Sequence, residues 1–339
     1  MLQRICLALK IIGSFSDLEL ERIREAAFND QVHLYAKGTV KNIRSHLKTY
    51  VLFCTRFGFN PLPASSDCIV CFAQFMSQTV SYAYIKQILS SIKTLHKVYK
   101  LDMIERDYTI DVTLQCIKRK TARTPLHVFP VMPNTLKSML LFMDLSVPEN
   151  LALWTSYLSC FYLAFRKKSI CPESMSKFDP RNDLTRGKIH VDAENNVALV
   201  LVDHSKVVQF REKQVVFPLI GATGSPLNVV YYLDLLFKSN PADDDAPAFS
   251  YLRKGKLLVV TQALFSKKLK FILEKAGFNP DLYSGHSFRR GAATHAYNNG
   301  CDSTMIKYLG DWSSDCFLRY VWVDIDQRVL AQRKMIATM

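Results

Sequence analysis

The sequence contains no long apolar run, and this bears on whether the chain enters a membrane. A helix that crosses a bilayer needs about 20 consecutive, mostly apolar residues, and the 339-residue chain has no such segment. The first residues, MLQRICLALKIIG, are like the start of a secretory signal, but Lys10 interrupts the apolar stretch and no small-residue cleavage site follows. We therefore expect neither a membrane span nor secretion.

The sequence also lacks a cysteine framework and a cluster of metal ligands. Its nine cysteines are odd in number and scattered, which is typical of reduced thiols in an intracellular protein. Cys68 and Cys71 form one C-x-x-C pair, but no second pair stands at zinc spacing. We predict no metal and no cofactor, and we expect these two cysteines to pack on a helix that begins near Ser66.

Acidic residues are scarce relative to basic ones. The chain has 44 Lys and Arg against 30 Asp and Glu, a formal net charge of +14. Residues 1–128 hold 18 basic and 10 acidic residues, and the remainder holds 26 and 20, so both halves are basic. A distributed positive charge favours a polyanionic partner such as nucleic acid, although it also occurs in proteins that bind none.

Two amphipathic helices are predicted near the N-terminus, each with a basic row opposite its apolar stripe. Thr39 is a candidate N-cap for the first helix, whose stripe comprises Val40, Ile43, Leu47, Tyr50, Val51 and Cys54. Its basic row is Lys41, Arg44 and Lys48. The second helix has a stripe of Ile85, Ile88, Ile92, Leu95 and Tyr99, opposite a row of Lys86, Lys93, Lys97 and Lys100. A single lysine row usually marks a solvated face, but two rows in one small domain favour contact with DNA phosphates.

The pattern along the chain predicts an α+β fold that is mostly helical. We assign residues 1–28 to an N-terminal extension, 29–120 to a helical domain, 121–133 to a linker and 134–339 to a mixed α/β domain with a tail at 325–339. Within the second domain, residues 134–165 predict two apolar helices, and residues 188–218 predict a small antiparallel sheet with turns near Glu194 and Asp203. Helices are expected again at 227–237, and after a surface loop at 239–247 the remainder is predicted to be helical.

The segment YSGHSFRRGAATHAYNNG, residues 283–300, combines a histidine and arginines with small residues at the start of a predicted helix. His286 and Arg289 are three residues apart, so in a first helical turn both side chains leave the same face. Unpaired N–H groups and the helix dipole favour an anion there. Gly291, Ala292 and Ala293 allow the helix to lie close to its neighbours.

Four further residues join this pair in a recognisable order. Arg166 ends an apolar helix in YLAFRKKSI, Lys206 lies in a turn between strands in VDHSKVVQF, and Trp312 and Tyr320 lie in LGDWSSDCFLRY. Arg166, Lys206, His286, Arg289, Trp312 and Tyr320 together resemble the catalytic set of the tyrosine recombinase (phage integrase) family. In more detail, the segments SKVVQFRE and HSFRRGAATHA are similar to the eukaryotic branch of this family that is carried by DIRS-like retrotransposons and Crypton transposons.

The resemblance implies a mobile-element recombinase or integrase that cuts and rejoins DNA through a 3′-phosphotyrosine. Tyr320 is then the nucleophile, Lys206 the general acid that protonates the leaving 5′-oxygen, and His286 either a proton acceptor near the tyrosine or a ligand of a phosphate oxygen. Arg166 and Arg289 suit the clamp on the phosphate because a guanidinium stays charged and donates paired N–H bonds. The resemblance also implies a nuclear protein that binds double-stranded DNA and assembles as a homotetramer on synapsed sites. The basic rows, represented by Lys41, Arg44, Lys48, Lys86, Lys93 and Lys97, are the expected DNA contacts.

The sequence departs from the family pattern at two places. Many integrases carry a histidine directly after the Leu-Gly pair, where this chain has Asp311; a carboxylate cannot donate to phosphate, so we assign the role to Trp312. An acidic residue is common three places after the first arginine, where Ser169 stands here, and Glu173 is a candidate substitute.

Three alternatives stay open at this stage. A type IB topoisomerase shares these residues and this chemistry, and a domesticated DNA-binding protein would keep the fold without cutting. Residues 291–310 also have the outline of a helix-turn-helix, although its second helix offers only Lys307 and a few hydroxyls for reading bases.

Overall fold

The computed structural model describes residues 22, 37–102, 107–122, 128–202, 215–312, 314–323 and 325–337. The chain divides into two compact units, Met1–Pro125 and Leu126–Met339, and the division falls inside the range that the sequence marks as a linker. Of the predicted extension 1–28, all but Arg22 lies outside the described residues. Within the described ranges, no helix has the length and apolar character needed to cross a membrane.

The first unit is helical. Its helices are α1 (Lys37–Phe57), α2 (Ser66–Met76), α3 (Tyr82–Val98) and α4 (Tyr108–Lys120). The predicted start of α2 is confirmed, since the Ser65 hydroxyl caps it by accepting a bond from the Cys68 backbone N–H. The predicted cap at Thr39 is wrong, because α1 already includes Lys37 and Thr39 lies within the helix.

The apolar stripes of α1 and α3 form most of this unit's core. Tyr50, Cys54, Ile85, Ile88 and Ile92 are buried as predicted, and Cys68 packs beside Cys54. Two predicted stripe residues, Val51 and Tyr99, are exposed. Val51 is one helical step of about 100° from Tyr50, and Phe53 is buried in its stead; Tyr99 follows the last residue of α3.

The second unit is built around a buried helix. Its helices are α5 (Pro133–Leu140), α6 (Pro148–Tyr162), α7 (Lys167–Ile170), α8 (Val229–Ser239), α9 (Gln262–Lys275), α10 (His286–Asn298), α11 (Ser303–Leu309) and α12 (Ile325–Ile336). Every residue of α6 from Leu151 to Phe161 is buried. A helix that is apolar on all sides belongs in a core. Because α6 is held in the core, it fixes the position of the segment after its C-terminal end, which carries Arg166.

The predicted small sheet is confirmed. Strands β1 (Ile189–Asp192), β2 (Val197–Val202) and β3 (Val215–Ile220) pair antiparallel in the order β1-β2-β3. In register, Val200 lies opposite both Ile189 and Phe217, and all three are buried. The first turn contains Asn196 at φ 55°. The second predicted turn, which carries Lys206, lies outside the described residues.

The prediction that the chain is wholly helical beyond residue 247 is wrong. Strands β4 (Ser250–Arg253) and β5 (Lys256–Val259) form a hairpin. Its turn residues, Lys254 and Gly255, have φ values of 50° and 72°. Positive φ at both central residues suits the right-handed twist of a two-residue hairpin. The Lys-Gly pair between short apolar runs was therefore a hairpin signal.

Candidate active site

Helix α10 places His286 and Arg289 in its first turn, as the sequence predicts. Both side chains turn toward the ring of Tyr320. The imidazole of His286 lies 5.8 Å from that ring between centroids, at 28° between planes, and the Arg289 guanidinium carbon lies 5.7 Å from the ring centroid. One helix therefore positions two of the predicted site residues against a third.

Arg289 is held deep in this site, with only 2% of its surface exposed. Its Nη1 donates to the backbone carbonyl of Ala164, a residue in the left-handed conformation at φ 48°. The guanidinium carbon lies 3.9 Å from the ring centroid of Trp312, within cation–π range. Burial, followed by the nearby charge of Arg166, lowers the pKa of Arg289 to about 10. The side chain remains charged at neutral pH.

Arg166 approaches the same site from the end of α6. It is the extended residue before the one-turn helix α7, and it is partly exposed. Its positive charge lowers the pKa values of both His286 and Arg289, which places the three groups within electrostatic reach of one another. No carboxylate among the described residues forms an ion pair with Arg166 or Arg289. Clustered arginines without a carboxylate partner among the described residues favour an anionic ligand.

His286 is a neutral base at physiological pH. Loss of hydration lowers its pKa most, and the charges of Arg166, Arg289 and Arg290 lower it further, although part of the imidazole is open to solvent. Its Nε2 lies 3.5 Å from the phenolic oxygen of Tyr320. This distance is at the long limit for a hydrogen bond, but catalytic contacts often shorten when substrate binds.

Tyr320 follows a short 3₁₀ helix, Asp315–Arg319, and Trp312 lies beneath it. The two rings are 5.8 Å apart between centroids. Trp312 is buried, and its indole Nε1 makes no hydrogen bond to any described residue. The Trp312 ring crosses so close to Gly310 that a Cβ there would lie 2.1 Å from it. The Trp312 ring is therefore fixed in position, and its indole N–H has no hydrogen-bond acceptor among the described residues.

The structure thus brings together five of the six residues that the sequence singles out: Arg166, His286, Arg289, Trp312 and Tyr320. The sixth, Lys206, lies outside the described residues. Arg290 was not singled out, although its charge acts on His286 and its guanidinium carbon lies 5.9 Å from the Trp322 ring. Its position directly after Arg289 was the signal available in the sequence.

The proposed substitute acid, Glu173, is exposed and pairs with Lys177. At the other departure, Ser169 donates its backbone N–H to the Arg166 carbonyl at 2.8 Å, so it lies beside the first arginine. Trp312, rather than Asp311, is the residue whose ring contacts both Arg289 and Tyr320.

The helix-turn-helix outline is present but its second helix is short. Helix α11 has seven residues and follows Gly300, which has φ 80°. Lys307, the basic residue of α11, pairs with Asp315 at 2.6 Å. This pair ties α11 to the segment that leads to Tyr320, and it occupies the side chain that base reading would need.

The six basic residues expected to contact DNA are all exposed in the first unit. Lys41, Arg44 and Lys48 lie on α1, and Lys86, Lys93 and Lys97 lie on α3. None of these basic side chains contributes to the hydrophobic core of that unit.

Gly291 lets α10 pack against the chain at Val131, and replacing it with alanine is expected to be strongly destabilising. A Cβ at Gly291 would lie 1.8 Å from the Val131 carbonyl oxygen, a backbone atom that cannot rotate away. Overpacking of this kind typically costs about 1–3 kcal/mol, or more where backbone must move. The three tryptophans all lie in this unit, so urea unfolding followed by their fluorescence measures the effect. Gly38→Ala, in α1 with no described atom within 4 Å, is the matched control and should leave that midpoint unchanged.

Comparisons with known proteins agree with this arrangement at the level of the fold. The chain matches no protein-family model and no curated protein sequence. Among solved structures, it is similar to the Tn1549 transposon integrase in complex with transposon right end DNA, at 15% identity, TM-score 0.58, over 91% of this chain and 98% of that one. A lambda integrase dimer bound to a COC′ core site matches at 14% identity and TM-score 0.55, over 92% and 85%.

A third similar structure is the XerH site-specific recombinase bound to its difH substrate, at 15% identity and TM-score 0.52, over 84% of this chain and 78% of that one. These matches extend over most of both chains. With the helical first unit, the small antiparallel sheets and the clustered site, they show that the chain has the tyrosine recombinase fold.

Proposed function

We propose that this protein is a site-specific DNA recombinase that cuts and rejoins strands with Tyr320 as the nucleophile. The observation that carries the proposal is the cluster itself: a tyrosine hydroxyl lies 3.5 Å from a neutral histidine, beside a buried arginine. The three similar structures are described as recombinases and integrases, bound to a difH substrate, to transposon right end DNA and to a COC′ core site.

The chemistry balances with the residues of this site. The Tyr320 oxygen attacks the phosphorus of a DNA phosphodiester, and its proton passes to His286 Nε2, which is neutral at physiological pH. The bond from phosphorus to the 5′-oxygen breaks, and Lys206 supplies the proton that the leaving oxygen takes. The products are a 3′-phosphotyrosine and a free 5′-hydroxyl. Attack by a 5′-hydroxyl on the phosphotyrosine reverses the steps and rejoins the strand without ATP.

The arginines supply the charge that this reaction requires. Negative charge grows on the non-bridging phosphate oxygens as the pentavalent state forms. Arg166 and Arg289 are held close together by the ends of α6 and α10, and preorganised donors of this kind stabilise such a state strongly. The Trp312 ring lies against Arg289, and its Nε1, which has no hydrogen-bond partner among the described residues, is a further candidate donor.

The first unit is proposed to grip duplex DNA through its two basic rows. Reversing the charge of Lys93 and Lys97 together is expected to weaken binding by about the same factor on every sequence, because phosphate contacts carry no base information. If each lysine neutralises one phosphate, the slope of log K against log salt falls by about 0.9 per lysine, or roughly 2 in total. Fluorescence anisotropy at several salt concentrations measures both quantities.

The matched control is Lys254→Glu with Lys256→Glu, which makes the same change of net charge at the exposed turn of the β4–β5 hairpin. That variant should keep most of the affinity. An unchanged slope for the Lys93 and Lys97 variant, or a loss of sequence preference at constant affinity, would contradict the assignment of α3 to the DNA backbone.

The finer assignment to a mobile element rests on the sequence resemblance to the DIRS-like and Crypton branch. A recombinase of such an element acts on chromosomal DNA of a eukaryotic cell, and we place this protein in the nucleus on that ground. Repeats in the genomic DNA on either side of the gene would support the assignment.

Strand exchange joins two duplexes, so we propose that the protein works as a tetramer on paired sites and that α12 joins neighbouring protomers. The C-terminal tail forms helix α12, which begins at Ile325. Its side chains Ile325, Val329, Leu330 and Ile336 are exposed in the single chain. Burying a large apolar side chain contributes about 1.5–3 kcal/mol, so these positions favour docking on a partner protomer.

Deleting residues 325–339 is therefore expected to abolish synapsis while leaving the binding of single sites nearly intact. Gel filtration and mobility-shift assays on single and paired sites measure the two effects. Leu330→Gln with Ile336→Gln serves as a milder variant that keeps the chain length. If the truncated protein pairs sites and recombines normally, docking through α12 is wrong.

The experiment that tests the proposed function uses a duplex nicked a few nucleotides beyond the cut, so that the short 5′-hydroxyl fragment diffuses away and religation stops. A recombinase or a type IB topoisomerase accumulates a covalent protein–DNA adduct, whereas a domesticated binding protein gives none. Relaxation of supercoiled plasmid without a specific site would then favour the topoisomerase. Exchange between two marked duplexes that share a site favours the recombinase.

A further inference from the structure

Thr294, on the helix that carries His286 and Arg289, is bonded directly to the backbone around Tyr320. It is 2% exposed, and its hydroxyl donates to the Tyr320 carbonyl oxygen at 3.3 Å. The same hydroxyl accepts the backbone N–H of Trp322 at 2.9 Å. A threonine inside a helix often bonds the carbonyl four residues earlier instead. Here, one side chain uses its donor and its acceptor on the two successive peptide groups that follow the tyrosine, on either side of Val321.

The chain on both sides of Tyr320 is held by further contacts. Before the tyrosine, the buried ring of Phe317 packs with Trp312 at 6.1 Å between centroids, and the Tyr320 N–H bonds the Phe317 carbonyl at 2.7 Å. After it, residues 321–323 have no regular secondary structure. The Trp322 ring contacts Phe129 and, from α10, Arg290, and the Thr294 hydroxyl adds hydrogen bonds from α10 to the backbone of this second flank.

We propose that Thr294 is a positioning residue that sets where the Tyr320 oxygen lies relative to His286 and Arg289. Its hydroxyl bonds the backbone rather than the phenolic oxygen, and it acts through the backbone of Tyr320. His286 and Arg289 lie on α10, and the Tyr320 backbone is bonded to α10 through Thr294. The Thr294 hydroxyl therefore keeps the nucleophile in register with the histidine that accepts its proton and the arginine that binds the phosphate. The inference rests on the proposed function, in which Tyr320 is the nucleophile.

The effect of losing this tether follows from the geometry that an in-line attack requires. A shift of about 1 Å in a reacting atom can cost about 100-fold in rate, even when it originates away from the reacting atoms. Thr294→Val keeps the branched shape and the buried volume but removes both hydrogen bonds. Thr294→Ser keeps the hydroxyl and removes only a methyl group.

The test compares the wild type with these two variants in single-turnover cleavage of the nicked duplex at saturating protein. Thr294→Val is expected to cleave about 100-fold more slowly, with DNA affinity unchanged, and Thr294→Ser is expected to stay within a few-fold of the wild type. Hydrogen exchange followed by mass spectrometry adds a readout that does not depend on cleavage. The Trp322 amide, whose acceptor is lost, should exchange several-fold faster in Thr294→Val than in Thr294→Ser.

The outcomes separate the failure of this inference from that of the proposed function. A wild type that forms no adduct overturns the nucleophile assignment, and the role of Thr294 falls with it. An active wild type with an equally active Thr294→Val variant overturns the inference alone. If Thr294→Ser is as slow as Thr294→Val, or if exchange at Trp322 is the same in both, the residue acts by packing and the hydroxyl tether is wrong.

Discussion

Tyr320→Phe is expected to abolish covalent attachment to DNA and to leave DNA binding nearly intact. The substitution removes only the phenolic oxygen, and the ring keeps its contacts with His286, Arg289 and Trp312. Loss of a nucleophile typically lowers the rate of the covalent step by on the order of 10⁴-fold or more. Denaturing gels of the nicked-duplex reaction show the adduct, and anisotropy measures binding.

Tyr308→Phe is the matched control for this experiment. Tyr308 lies on α11, twelve residues before Tyr320, and is 72% exposed. It should form the adduct at the wild-type rate. An adduct with Tyr320→Phe and none with Tyr308→Phe would show that the nucleophile is assigned to the wrong residue.

Arg289→Lys is expected to lower the rate of cleavage by about 10²–10³-fold, although the charge is kept. Lysine cannot donate paired N–H bonds to a phosphate or lie flat on an indole ring. It also cannot donate to the Ala164 carbonyl while its charge points at the phosphate. Single-turnover cleavage measures the loss, and binding of the duplex should weaken far less.

Arg253→Lys is the control, because Arg253 is an exposed residue of the β4–β5 hairpin.

Cleavage by the wild-type protein should proceed equally well in EDTA, since the guanidiniums supply the charge that a metal pair provides in other strand-cutting enzymes. A strict requirement for Mg²⁺ in the cleavage step would contradict the proposed mechanism, as would full activity of Arg289→Lys.

The parts of this fold that the sequence predicts are those fixed by local chemistry. The start of α2 near Ser66, the isoleucine stripe of α3 and the alternating strands around Val200 follow from residue pattern alone. The hairpin at 250–259 was missed because its strands have four residues each, too short to show a period against flanking helices. Val51 shows the opposite limit, since an apolar residue at a stripe's edge is buried only if a neighbouring helix covers it.

The site divides in the same way. The resemblance to the tyrosine recombinase family is enough to nominate Arg166, His286, Arg289, Trp312 and Tyr320, but it does not say that Arg289 lies over the Trp312 ring. Thr294 could not be found from the sequence, because a threonine in the middle of an amphipathic helix has no local mark of a bond made 26 residues further along. Long-range contacts of this kind depend on how the helices pack, and the structure is needed to see them.

The central claim is that Tyr320 forms a covalent bond to a DNA 3′-phosphate, and mapping the adduct tests it most directly. The wild-type protein is incubated in EDTA with nicked duplexes whose sequence is randomised on both sides of the nick, so that the target need not be known. The adduct is purified, digested with nuclease and protease, and analysed by mass spectrometry. We predict a nucleotide joined through its 3′-phosphate to Tyr320. A nucleotide on another residue, a 5′-phosphate linkage, or no adduct from the whole library would contradict the account.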